Sequence, residues 1–109
     1  HMELIGDVTG KNVVLVDDMV DTAGTLTKAA DLMIDRGALS VRAICTHPIL
    51  SGNAYNRLED SRLEQLIVTD SIPLTQENNK IKVLSCAELF ADVMHKVHQN
   101  KSISSNFIM

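Results

Sequence analysis

Nine consecutive residues carry the side chains whose types and order could do chemistry: Asp17-Asp18-Met19-Val20-Asp21-Thr22-Ala23-Gly24-Thr25. Two kinds of group are packed together, and they suit two parts of one ligand. Ala23 and Gly24 are small, so a ligand can approach the main chain closely, while Thr22 and Thr25 supply hydroxyls. Where a helix opens at the end of such a segment, its first N–H groups are unpaired donors and its dipole favours an anion. That combination is a phosphate cradle needing no lysine. Asp17 and Asp18 would repel a phosphate but can accept hydrogen bonds from vicinal sugar hydroxyls. Hydroxyls at one end and phosphate at the other describe a pentose phosphate. A simple helix cap, with Asp21 or Thr22 as N-cap, would use the same residue types. The order of two acids, two apolar residues and then Asp-Thr-Ala-Gly-Thr is what favours a ligand site.

The elements that must position this segment follow from periodicity. Val13-Val14-Leu15-Val16 is a β-branched, wholly apolar run, which predicts a strand covered on both faces as in a parallel sheet. After the polar segment, Leu26, Ala29, Ala30, Met33 and Gly37 recur at helical spacing, and Arg36 and Gly37 suit a helix end. Val41 to Thr46 predicts a second strand, stopped by His47-Pro48. Ser51-Gly52-Asn53 can start a short helix running to about Glu59. Gln65 to Thr69 and Ile81 to Leu84 predict two further strands, separated by a polar loop over 75–80. Ser85 and Glu88 have capping-box spacing before a last helix, whose buried stripe would be Leu89, Phe90, Val93, Met94 and Val97. The tail from Lys101 to Met109 alternates weakly, as a strand or a partner-binding arm would. Strands alternating with helices predict an α/β fold with a three-layer, Rossmann-like parallel sheet and flanking helices. Ligands of such sheets bind at the carboxyl ends of the strands, where the Asp17–Thr25 segment is expected.

Bulk properties narrow the function. The 109 residues suffice for one small domain, and the 45% hydrophobic content supports a core that must be aliphatic, since aromatics are only 3%. Ten basic against fourteen acidic residues, a net charge of -4, argue against general nucleic-acid binding, which needs clustered positive charge. No apolar run is long enough to cross a bilayer, and a cytoplasmic location is expected. Cys45 and Cys86 have no metal-ligand spacing and read as free thiols. His47 reads as a structural hydrogen-bonder, and His95 and His98 as part of a solvated helix face. His1-Met2 resembles the scar of a cleaved tag, with residues 3–109 expected to be one domain of a longer protein.

The segment resembles the phosphoribosyl pyrophosphate (PRPP) fingerprint of the type I phosphoribosyltransferase fold: an apolar strand, two acids, two apolar residues, then Asp-Thr-small-Gly-Thr. Within that superfamily the chain resembles PRPP synthetase, or ribose-phosphate pyrophosphokinase. Gly6-Asp7-Val8, Thr46-His47-Pro48-Ile49-Leu50-Ser51-Gly52, Thr69-Asp70-Ser71-Ile72-Pro73, and Ser102-Ile103-Ser104 followed by Phe107 all carry the match, from about Gly6 to the C-terminus.

The resemblance implies roles. Asp17 and Asp18 would contact the ribose hydroxyls of ribose 5-phosphate, and Asp21, Thr22, Ala23, Gly24 and Thr25 would wrap its phosphate. The implied reaction is transfer of the diphosphate of Mg-ATP to ribose 5-phosphate, giving PRPP and AMP. It also implies a homo-oligomer and a phosphate or ADP regulatory site at Ser102 and Ser104. The family's catalytic Lys and Arg loop and its histidine-bearing ATP site would lie before Gly6. No catalytic residue and no metal ligand is therefore assigned within the chain, and a C-terminal domain alone is expected to be inactive. Only Lys11 and Lys28 are expected among basic side chains near the pocket edge. A non-catalytic regulatory paralogue and a salvage or pyrimidine phosphoribosyltransferase share parts of the pattern. The first would carry altered site loops, and the second different segments in place of His47–Gly52 and Thr69–Pro73.

Overall fold

Short β-branched runs separated by helical stretches leave the chain one economical solution, in which each helix crosses back over the sheet it came from. A computed structural model shows that solution and describes Leu4 and residues 6–107; His1 and Met2, read as a tag scar, lie outside the described residues. The elements are β1 (Asn12–Val20), α1 (Gly24–Asp35), β2 (Ser40–Pro48), α2 (Ala54–Asp60), β3 (Gln65–Thr69), β4 (Ile81–Leu84), α3 (Ala87–His98) and a 3-10 turn at Ser104–Asn106. The α/β class is as the periodicity predicts. Among the described residues the tail from Lys101 forms no strand and holds only that 3-10 turn.

The four strands are all parallel and lie in sequence order, β1-β2-β3-β4. Parallel crossovers are right-handed, so a sheet that always grows in one direction places all its crossovers on one face. That face holds the core. Val41, Ala43 and Cys45 of β2 and Leu66 and Val68 of β3 are fully buried against Leu26 and Ala30 of α1 and Ala54, Tyr55 and Leu58 of α2. Gly37, at φ +96°, ends α1 in the left-handed conformation that glycine adopts without strain.

Two expectations about burial are corrected. β1 is not covered on both faces: Val14 and Val16 point away from the core, and Val16 is 79% exposed. The parallel sheet with flanking helices is as expected, with α1 and α2 packed on the core face. The stripe of α3 is not buried. Leu89, Phe90, Met94 and Val97 are exposed and Val93 is half-buried, since α3 follows the last strand at the sheet's edge and no described layer stands opposite it. The molecule is accordingly elongated, 52 Å along its longest axis against 24 Å along its shortest.

The capping box at Ser85 and Glu88 does not form. Asp70, at the end of β3, takes its place: one oxygen accepts from the Cys86 N–H at 2.9 Å and the other from the Ser85 hydroxyl at 2.6 Å. A carboxylate at the start of a helix also complements its dipole.

Candidate functional site

β1 runs further than its apolar core. Parallel pairing with β2 continues through Asp17↔Cys45, Met19↔His47 and Val20↔Pro48, so the two acids belong to the strand and not to the loop after it. Likewise β2 is not stopped by His47-Pro48 but ends with Pro48. The true loop is three residues long, Asp21 to Ala23, and α1 starts at Gly24.

A cavity of about 260 Å³ opens at this carboxyl end of β1, lined by Asp17, Met19, Val20, Asp21, Thr22, Ala23, Gly24, Thr25 and Leu26. Seven residues were singled out in the sequence for the sugar phosphate; six of them meet in this cavity. Asp18 does not line it, because successive strand side chains leave on opposite faces. Each acid is braced locally: the Asp17 carboxylate accepts from the Asp18 N–H, and that of Asp18 from the Met19 N–H, both at 2.8 Å.

Neither Asp21 nor Thr22 caps α1. The N-cap is Ala23, buried and in the left-handed conformation at φ +63°, with no side-chain cap bond. A non-glycine residue there is strained by about 1–3 kcal/mol. Leu50, at φ +51° and also buried, is a second such residue in the adjoining segment. Among the described residues nothing accepts from the N–H groups of Thr22, Ala23, Gly24 or Thr25, and the hydroxyls of Thr22 and Thr25 make no hydrogen bond. These are the donors that the first turn of a helix leaves without partners. An alanine-sized Cβ on Gly24 would come no closer than 3.7 Å to a neighbour, Thr22 Oγ1.

The segment after β2 supports the loop from behind. The N–H groups of Ile49 and Leu50 both donate to the Val20 carbonyl, at 3.0 and 3.1 Å, and that of Ser51 to the Asp21 carbonyl at 3.0 Å. The Ser51 hydroxyl donates to the Asp21 carboxylate. From α2, Arg57 Nη1 donates to the Thr22 carbonyl at 2.9 Å. Arg57 is the residue that sequence reasoning missed: it lies 35 positions from Thr22, and only the α1–α2 packing brings it there. Lys11, expected near the pocket, lies just before the opposite end of β1, about 20 Å by strand length from the nearest lining residue, Asp17.

The other conspicuous segments meet along the same edge. The Ser71 hydroxyl donates to the Thr46 carbonyl at 2.9 Å and so accepts from His47 Nδ1 at 2.8 Å. His47 is thereby a structural hydrogen-bonder, as expected. The three hydrogen bonds from the Cys86 thiol, the Cys86 N–H and the Ser85 hydroxyl hold the Asp70 carboxyl far below its ordinary range. The same carboxylate pushes the Cys86 thiol up. Burial, then the Asp17 carboxylate, pushes Cys45 up to about 11. Both cysteines are free. Among the described residues no three His, Cys, Asp or Glu side chains converge as metal ligands, and no helix is long and apolar enough to cross a membrane.

Sheet, loop and cavity define an α/β domain with an open ligand-sized cleft at the carboxyl edge of a parallel sheet. The family profile described as "phosphoribosyl synthetase-associated domain" matches residues 1–108, and the chain belongs to that family. The ribose-phosphate pyrophosphokinase of Wolinella succinogenes is 52% identical over 107 residues, which are 98% of this chain and 35% of that protein. The enzyme of the same name from Helicobacter hepaticus is 55% identical over 106 residues, 97% of this chain and 34% of its own length. The crystal structure of phosphoribosylpyrophosphate synthetase from Mycobacterium smegmatis matches 88% of this chain and 33% of that one, at 39% identity and a TM-score of 0.85. The chain thus spans about 35% of the length of the curated relatives it matches.

Proposed function

We propose that residues 3–109 are a domain of a ribose-phosphate diphosphokinase and that the cavity holds ribose 5-phosphate. What carries this reading is the pairing of two unlike walls in one cavity. Thr22 to Thr25 present unpartnered N–H groups and hydroxyls to an anion, and Asp17 presents a carboxylate to hydroxyls. A phosphate seated on the first wall at a helix N-terminus leaves the pentose within reach of the second. Asp21, tied to Ser51, sets the loop's shape. Asp18, on the other face of β1, completes the acidic pair only for a ligand that wraps the strand end.

The parent enzyme would transfer the diphosphate of ATP to the C1 hydroxyl of ribose 5-phosphate, giving PRPP and AMP for nucleotide synthesis in the cytoplasm of the cell. Such a transfer depends on positioning and on cations beside the moving phosphoryl groups. This chain's residues supply the positioning. The magnesium of the parent reaction would arrive with the nucleotide, as Mg-ATP. The chain by itself is therefore an acceptor-binding domain and not a catalyst. Ser102 and Ser104, whose hydroxyls lie 3.0 Å apart, are assigned to a regulatory phosphate or ADP site in a homo-oligomer of the parent, and double substitution to alanine there should blunt ADP inhibition.

The test is an amide-resolved NMR titration of the chain with ribose 5-phosphate, inorganic phosphate and ribose. Shifts centred on Thr22 to Thr25 with both phosphates, extending to Asp17 only with the sugar phosphate, are expected. A response centred elsewhere refutes the assignment. Incubation with Mg-ATP and ribose 5-phosphate should yield no AMP at a rate approaching the typical enzyme turnover of about 10 per second.

A further inference from the structure

Two successive peptide groups of the loop are each held by the carbonyl. The Ser51 N–H donates to the Asp21 carbonyl at 3.0 Å, and Arg57 Nη1 donates to the Thr22 carbonyl at 2.9 Å. A trans peptide is planar, with C=O and N–H pointing in opposite directions. Holding the carbonyl of Thr22 from behind therefore aims the N–H of Ala23 forward, and holding that of Asp21 does the same for Thr22. Both residues line the cavity. The left-handed Ala23 then bends the chain so that consecutive N–H groups converge, the arrangement that makes an anion nest.

Arg57 is well placed to enforce this. It stands on α2 between Ala54, Tyr55 and Leu58, all buried, so its Cα cannot drift. Its guanidinium also approaches Gly24: a Cβ built there would lie 3.9 Å from Nη1. Among the described residues Arg57 takes part in none of the four ion pairs, which join Arg42 to Glu64, Arg62 to Asp31 and Asp35, and Lys96 to Asp92. Its charge is therefore not paired with any carboxylate, and it stands behind the loop that carries Asp21.

We propose that Arg57 is the positioning residue of the phosphate loop: through the Thr22 carbonyl it aims the Ala23 N–H into the cavity, and its positive charge offsets the neighbouring carboxylates so that an anion can enter. The inference rests on reading the loop as a phosphate site. Arg57→Met should weaken both inorganic phosphate and ribose 5-phosphate by about tenfold, the typical worth of one charge-assisted hydrogen bond. The amide response of Ala23 should be reduced most. Arg57→Lys, which restores a cationic donor, should recover a large part of the loss. The measurement is the NMR titration above, run on the wild-type chain and both variants, with thermal melting in parallel. Wild-type affinity in Arg57→Met, or a lowered melting temperature with unchanged affinity of the folded protein, overturns the role of Arg57 and leaves the phosphate reading standing. If the wild-type amides of Thr22 to Thr25 respond to neither probe, the phosphate reading itself fails, and the role of Arg57 with it.

Discussion

Asp17 and Asp18 are neighbours in the chain but leave β1 on opposite faces, and only Asp17 lines the cavity. The adjacent acids are thus not equivalent. Asp17→Asn should weaken ribose 5-phosphate by about tenfold to a hundredfold, through loss of a charge-assisted hydrogen bond to a sugar hydroxyl, while inorganic phosphate binds as before. Asp18→Asn should cost less. Calorimetric titration of both variants with the two ligands checks the difference; equal losses in both would show that the sugar spans the strand end.

Gly24 separates ligand space from folding space. A Cβ at this position meets nothing closer than 3.7 Å and its φ is not in the left-handed region. Alanine is the better helix former by up to about 1 kcal/mol, so Gly24→Ala should leave the melting temperature unchanged or slightly raised. The larger Gly24→Val should fill the approach to the loop backbone and abolish phosphate binding while the protein stays folded. Retained phosphate affinity in the valine variant would show that the anion does not sit against Gly24.

These contrasts also mark what could be read from residues alone. Strand-helix alternation was legible because apolar periodicity is local: β3 and β4 span the predicted residues, and α1 and α2 begin and end within a few residues of theirs. The Asp17–Thr25 segment was legible because its ligand-facing groups are contiguous. Its boundary was not, because two aspartates look like a turn until β2 supplies the hydrogen-bonding partner that keeps them in a strand. Arg57 and Ser51 were illegible as parts of the site for the same reason, since their contacts with the loop depend on how α2 and the end of β2 pack. The exposed stripe of α3 shows the converse: amphipathic spacing identifies a helix but not what, if anything, covers it.

Asp70 and Cys86 form a pair whose chemistry can be followed from either partner. The carboxylate accepts from the thiol at 2.9 Å, which disfavours the thiolate and raises the Cys86 pKa. Asp70→Asn removes that charge, so at mildly alkaline pH alkylation of Cys86 should speed up several-fold. Cys45, buried and pushed up to about 11, should stay unreactive in the folded protein. For Asp70 the sign is the reverse. Its folded pKa lies below the ordinary 3.8, so its contribution is complete above that value and is lost as the pH falls toward the folded value. Loosening of the start of α3 should therefore appear only in acid, and hydrogen exchange at Cys86 and Ala87 measures it.

Lys80 spends its charge on main chain. Its Nζ donates to the carbonyls of Leu58 at 2.8 Å, Glu59 at 3.1 Å and Ser61 at 2.8 Å, satisfying the last carbonyls of α2, which a helix end leaves without partners. Lys80→Met keeps the aliphatic stem and deletes all three bonds. A loss of about 2 kcal/mol is expected, lowering the melting temperature by on the order of 10 °C. Because α2 carries Arg57, ribose 5-phosphate affinity should fall as well. A melting temperature within a degree or two of wild type would show that water replaces the ammonium without cost.

The two uncovered apolar surfaces should make the isolated chain self-associate. On the open face of the sheet Val14, Val16 and Ile44 are exposed side by side across paired strands, and Leu84 is exposed at its far edge. α3 adds Leu89, Phe90, Met94 and Val97, with Phe107 exposed in the tail beyond. Among the described residues β1 is also an edge strand, whose outer backbone groups have no strand to pair with. Contiguous apolar surface of this extent is seldom left in water by a monomeric protein, and a net charge of -4 over 109 residues is too small to keep copies apart at physiological ionic strength. Sedimentation velocity over a range of micromolar concentrations should show a concentration-dependent shift from monomer to dimer or larger species. Val16→Lys, which places a charge in the middle of the open face and touches neither core nor cavity, should return the protein to monomer without lowering phosphate affinity. A wild-type chain that stays monomeric at high micromolar concentration would show that these faces are tolerated in water.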